Sequence, residues 1–249
     1  MSYLSTHKEH QFQNRNVLGL PGHVFGRHWH ETKWKRVSCN HDDWSDEVLI
    51  RWPTENEIAR GDILSDRPIV RINEEYWPIS TTDLKKVERD SGFPIRDHCA
   101  KLVSESPTMP VILEWGCGQG KAVNDLTNDP RIRGKALVFA YSNTWYQRWN
   151  EIHGVKFLFF VKEHLPEYFK RRKLEVNIVF THTALEAHVY GNDLINHLQA
   201  LASIMAKGGV IVYPEGIRPE FQKIEDVFDI EPIRSSSDDW ESSCKMTRK

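Results

Sequence analysis

Cysteine is scarce: Cys39, Cys99, Cys117 and Cys244 are the only four in 249 residues, and none has C-x-x-C spacing. That excludes a disulfide framework and fits a reducing compartment. No apolar run approaches the roughly 18 residues needed to span a bilayer. The first 20 residues lack the apolar core of a secretory leader, so the sequence predicts a cytoplasmic protein. Charge of one sign is also missing. Residues 1–105 carry 15 basic and 17 acidic side chains, and the remainder 18 of each. Neither half has the positive excess of a phosphate-backbone binder, which disfavours nucleic acid as a partner. There is no internal repeat, no GxxxxGK[ST] loop and no G-x-G-x-x-G fingerprint.

Tryptophan and histidine are abundant by contrast, nine and 12, and they crowd the first third. Trp29, Trp34, Trp44, Trp52 and Trp77 lie there with His7, His10, His23, His28, His30 and His41. Residues 1–105 read as an irregular extension with strands near 48–52 and 68–72 and helices over 81–90 and 94–103. From residue 106 the pattern turns regular. Apolar runs at 111–113, 136–140, 155–161, 176–180 and 210–213 alternate with amphipathic helices, one of them through Trp145 and Trp149. A further helix runs over 194–205 and is stopped by Gly208-Gly209. Such alternation predicts a parallel sheet covered on both faces. A short helix near 219–227 and two strands, 228–233 and 240–246, then close the chain as an antiparallel hairpin. The expected fold is α/β: a Rossmann-like, doubly wound sheet of about seven strands with a closing hairpin.

Between the first apolar run and its helix stands Glu114-Trp115-Gly116-Cys117-Gly118-Gln119-Gly120. Glycine at these places lets the backbone turn sharply and approach a ligand, and the helix behind offers free N–H groups. With Val111-Ile112-Leu113 before it, Asn177 to His188, and Lys207-Gly208-Gly209-Val210-Ile211-Val212, this motif resembles the class I S-adenosylmethionine-dependent methyltransferases over about residues 107–249. The resemblance implies S-adenosyl-L-methionine as cofactor. Glu114, Gly116, Cys117, Gly118 and Gly120 would hold its amino-acid part. Tyr141, Ser142 and Asn143 would lie near the ribose, Lys162 and Glu163 near the adenine, and Thr181 near the sulfonium. His182, Glu186 and His188 cluster at the implied transfer site as candidate bases or substrate orienters. Loop residues of these types also make ordinary hydrogen bonds, and methyl transfer can proceed by orientation without a base.

The chain departs from the family pattern where the second strand ends. Ala140 or Tyr141 stands in place of the usual acid, so neutral bonds from Ser142 or Asn143 would replace a charge-assisted pair. The acid that often begins the fourth strand is Asn177. The fourth strand also lacks the Asn/Asp-Pro-Pro-aromatic sequence of base-amino methyltransferases, and no Pro-Cys pair exists. A small-molecule acceptor is therefore expected, with residues 1–105 as a substrate cap and 106–249 as the cofactor domain. A non-catalytic relative remains the alternative, and an RNA methyltransferase a lesser one. His28-x-His30 with Cys39-x-His41 has zinc-ligand chemistry but no finger spacing, so no metal is expected. The Lys170–Lys173 run is explained by its place at a helix C-terminus, and Cys117 by packing.

Overall fold

The computed structural model describes residues 35–41, 44–51, 54, 69–71, 82–142, 144–145, 149, 151–159, 164–182, 191–233 and 243–249. Strands β1 (Lys35–His41), β2 (Trp44–Arg51) and β3 (Ile69–Arg71) precede helices α1 (Leu84–Ser91) and α2 (Ile95–Glu105). Then follow β4 (Val111–Trp115), α3 (Lys121–Thr127), β5 (Leu137–Tyr141), β6 (Thr144–Trp145), β7 (Val155–Leu158), α4 (Leu165–Arg171), β8 (Val176–Thr181), α5 (Gly191–Ala202) and β9 (Met205–Tyr213). A 3-10 turn at Pro219–Ile224 leads to β10 (Phe228–Ile233) and β11 (Ser243–Arg248).

Seven strands form the main sheet in the order β10-β11-β9-β8-β4-β5-β7. The five central and outer strands β9, β8, β4, β5 and β7 run parallel, while β11 is antiparallel to both β9 and β10. The expected doubly wound sheet with a closing hairpin is what forms. Its parallel strands are mostly apolar because both faces are covered, and every residue of β4 is buried. Because the chain runs outward from the centre of the sheet in opposite directions, the rule of right-handed crossovers assigns α3 and α5 to opposite faces.

Helices α1 and α2 are fastened to this core rather than merely preceding it. Leu84, Val87, Ile95 and Cys99 are fully buried in the same cluster as the sheet. Asp83 caps α1 by accepting from the Lys86 amide, and Asp125 of α3 accepts from the Leu84 amide at 3.1 Å. Glu88 accepts from the Arg96 amide at 2.7 Å, joining the two helices end to end.

Two expectations are corrected. Thr144–Trp145 is a strand, not helix: it pairs with β3, completing a second, antiparallel sheet of order β1-β2-β3-β6. The helix expected through Trp145 gives way at Thr144–Trp145 to cross-strand pairing, with Trp145 opposite Val70. Gly208-Gly209 is likewise no helix stop, because α5 ends at Ala202 and β9 begins at Met205. The β8–β9 register jumps from Val176↔Met205 to Ile178↔Val210, so the glycines sit in a bulge. A Cβ on Gly209 would stand 2.9 Å from the carbonyl oxygens of both Ala206 and Val176. The same irregularity slips β8 against β4, and there the Asn177 side chain accepts from the Val111 amide at 2.8 Å. Asn177 thus serves register at the far end of the sheet from the strand carboxyl ends.

Candidate functional site

In parallel register the last residues of four strands stand abreast: Trp115 opposite both Tyr141 and Thr181, and Tyr141 opposite Leu158. Chain order reverses between β4 and β8, and such a switch point opens a crevice at the carboxyl ends of the strands. The Gly116–Gly120 loop leaves β4 on one side of that crevice, and His182 leaves β8 on the other.

Glu114 comes first. It is only 4% exposed, and its Oε2 has no hydrogen-bond partner. Burial pushes its pKa up to about 8, a hydrogen bond from the Val123 amide pulls the other way, and the Asp125 charge raises it further. A buried acid without a cation is costly unless neutral or awaiting a partner.

The loop itself is held from two directions. Gly116, Gly118 and Gly120 adopt φ of 78°, 50° and 77°, a region that L side chains avoid. The Gly116 and Cys117 amides both donate to the Tyr141 carbonyl, at 2.8 and 3.0 Å. The Trp149 indole N–H donates to the Gly118 carbonyl at 2.8 Å, and its ring stacks on Phe157 with centroids 4.6 Å apart. A Cβ on Gly120 would lie 2.8 Å from two atoms of that Phe157 ring. Trp149 is therefore a strut for the loop, a role that sequence reading missed because its partners are Gly118 and Phe157 rather than a helix neighbour. Cys117 is buried, its thiol pushed well up by burial, and it acts as packing. Gln119 is buried within the same turn.

The sheet is Rossmann-like and doubly wound. Its strand order, the Gly-rich turn after the first core strand and the antiparallel closing strand are the arrangement that the resemblance to class I methyltransferases implies. No family model matches the sequence, and no curated protein does. Among solved structures, the CurJ carbon methyltransferase is similar with a TM-score of 0.46 and 11% identity over 66% of this chain. This chain covers 55% of that protein's length. The plantazolicin methyltransferase BpumL in complex with SAH gives a TM-score of 0.46 and 10% identity, over 66% of this chain and 83% of that one. A TehB-like SAM-dependent methyltransferase from Corynebacterium glutamicum gives 0.42 and 13%, over 61% and 87%.

In this sheet β5 ends at Tyr141 with no carboxylate. Tyr141 turns its ring to Trp115, with centroids 5.7 Å apart, and Trp115 meets His197 of α5 edge-on. Ser142 follows, buried, its amide donating to the Leu158 carbonyl at 3.2 Å. Thr181 is buried beside the end of β4. His182 Nε2 lies 2.9 Å from Asp90 Oδ2. Burial opposes the Asp90 charge, but hydrogen bonds from Lys86 and His182 prevail and hold its pKa below the ordinary aspartate value. Asp90 was missed in the sequence because 92 residues separate it from His182. Asn143, Lys162, Glu163, Glu186 and His188 lie outside the described residues, as do His28 and His30. Among the described residues no group of three or more His, Cys, Asp or Glu could hold a metal, and no helix is long and apolar enough to cross a membrane. The basic run at the end of α4 is engaged locally: Arg171 pairs with Glu167 at 2.8 Å, and Arg172 lies 3.8 Å over the Tyr168 ring.

Proposed function

We propose that the protein is an S-adenosylmethionine-dependent methyltransferase with a small-molecule acceptor, working in a reducing, cytoplasmic compartment. Residues 106–249, with α1 and α2 packed into their core, supply the cofactor domain, and the chain before α1 the substrate cap. The observation that carries this reading is Glu114: a buried carboxyl with an unpaired oxygen, beside a positive-φ glycine turn, at the switch point of the sheet. Those features fit a ligand that brings an ammonium group and needs close backbone approach. When bound, S-adenosylmethionine supplies a methyl group activated on a sulfonium.

The rest of the work falls to the chain. Glu114 and the Gly116–Gly120 loop, Cys117 included, hold the amino-acid end. Ser142 and Asn143, next to Tyr141, give the ribose neutral hydrogen bonds. Lys162 and Glu163 border the adenine. Thr181 and His182 face the acceptor, with Glu186 and His188 close behind in sequence. His182, whose Nε2 lies against Asp90, is the base that takes the acceptor's proton, and Asp90 orients the ring.

Label from methyl-labelled S-adenosylmethionine should pass to the low-molecular-weight fraction of a cell extract. Asp90→Asn and His182→Ala should slow that transfer by about 10²–10⁴-fold while cofactor-product binding survives. Label found in RNA or protein instead would contradict the small-molecule acceptor. The missing carboxylate at the end of β5 favours one second reading, a non-catalytic binding protein. That protein would bind S-adenosylhomocysteine yet transfer no label to any fraction.

A further inference from the structure

Gln119 is the one side chain among the described residues whose two polar ends are both buried and unpaired. It is 3% exposed, and neither Nε2 nor Oε1 has a hydrogen-bond partner. A carboxamide offers two donors and a carbonyl acceptor, and leaving all of them dry is a standing penalty to the fold. Buried unpaired polar groups of this kind are rare in folded proteins, and each calls for an explanation. Gln119 also sits between two glycines held at φ of 50° and 77°, in a turn braced by Trp149 and by the Tyr141 carbonyl. Five residues before it, Glu114 presents the other unpaired oxygen of the same motif.

We infer that the Gln119 carboxamide is a ligand-binding group that receives the carboxylate of an α-amino-acid zwitterion, while Glu114 receives its ammonium. The two side chains divide the two charges of one zwitterion. An acid suits the cation, and an N–H₂ donor with no charge of its own suits the anion without repelling Glu114. The inference rests on the cofactor reading above and sharpens it, by assigning selectivity for the amino-acid end to a side chain rather than to the backbone of the turn alone.

Two ligands test it, S-adenosylhomocysteine and 5′-methylthioadenosine, which keeps the adenosine thioether but lacks the amino-acid end. Calorimetric titration of each is compared in the wild type, Gln119→Leu and the unbranched Gln119→Met, with the melting temperature of each unliganded protein. Loss of one hydrogen bond to a charged group should weaken S-adenosylhomocysteine binding by about tenfold or more. Methylthioadenosine affinity should stay within about twofold, and unliganded melting should be unchanged or higher because a dry amide is gone. Unchanged S-adenosylhomocysteine affinity in both variants overturns the role of Gln119 and leaves the cofactor reading standing. Equal loss of both ligands with a lower melting temperature also overturns it, because Gln119 would then be structural. If the wild type binds neither ligand, this inference and the cofactor reading fall together.

Discussion

Glu114 takes up its proton more tightly folded than unfolded, since burial pushes its pKa up to about 8. The sign follows directly. Its contribution to stability is fully present below the ordinary glutamate range, about 4.5, and is lost as pH rises toward 8, at up to roughly 1.4 kcal/mol per pH unit. Glu114→Gln removes that slope. Denaturant titrations at pH 5, 6.5 and 8 should show the variant gaining on the wild type as pH rises. Equal slopes would contradict the buried, unpaired carboxyl. Because a bound ammonium stabilises the ionised form, binding of S-adenosylhomocysteine near pH 7 should release protons. Its enthalpy should accordingly shift between buffers of different ionisation heat. Trp149 gives a second test at this scale. Trp149→Phe keeps a ring on Phe157 but leaves the Gly118 carbonyl unpaired, at an expected cost of about 1–3 kcal/mol by denaturant titration. No change in stability would mean the indole does not brace the loop.

At the scale of elements, two glycines carry the turns that the sheet requires. Gly120→Ala would set a Cβ at a φ of 77° against a Phe157 ring that Trp149 holds in place. A loss of about 2–4 kcal/mol is expected, read as a lower denaturation midpoint. Gly209→Ala would press on two carbonyl oxygens of the β8–β9 bulge and should be similarly harmful. The strands of the main sheet were legible in the sequence because β4, β5, β7, β8 and β9 are buried on both faces and read as apolar runs. The Glu114–Gly120 turn was legible because its residue types serve one purpose at fixed spacing. What stayed hidden depends on distant pairing. Thr144–Trp145 is a strand only because Ile69–Arg71 lies beside it. Gly208-Gly209 is a bulge only because β8 slips by one residue at Asn177. His182 was legible as a candidate, but its Asp90 partner was not, since that contact needs α1 folded onto the end of β8.

At the scale of the molecule, the small sheet β1-β2-β3-β6 is tied to the site by covalent chain. Its strand β6 begins three residues after β5 ends, at the same edge from which the Gly116–Gly120 loop and His182 emerge. Strands β1, β2 and β3 are thereby joined through β6 to the carboxyl edge of the main sheet. The whole fold should tighten on its ligand. At a hundredfold excess over Kd, S-adenosylhomocysteine should add about 2.7 kcal/mol, a rise in Tm of roughly 5–10 °C for a chain of this size. The central claim is that the Glu114 turn holds the amino-acid end of this cofactor. Calorimetric titration of S-adenosylhomocysteine into the wild type and Glu114→Ala tests it most directly. The account expects saturable one-to-one binding by the wild type and at least about a tenfold loss in the variant. No binding by the wild type at millimolar ligand, or equal affinity in a folded Glu114→Ala protein, would contradict it.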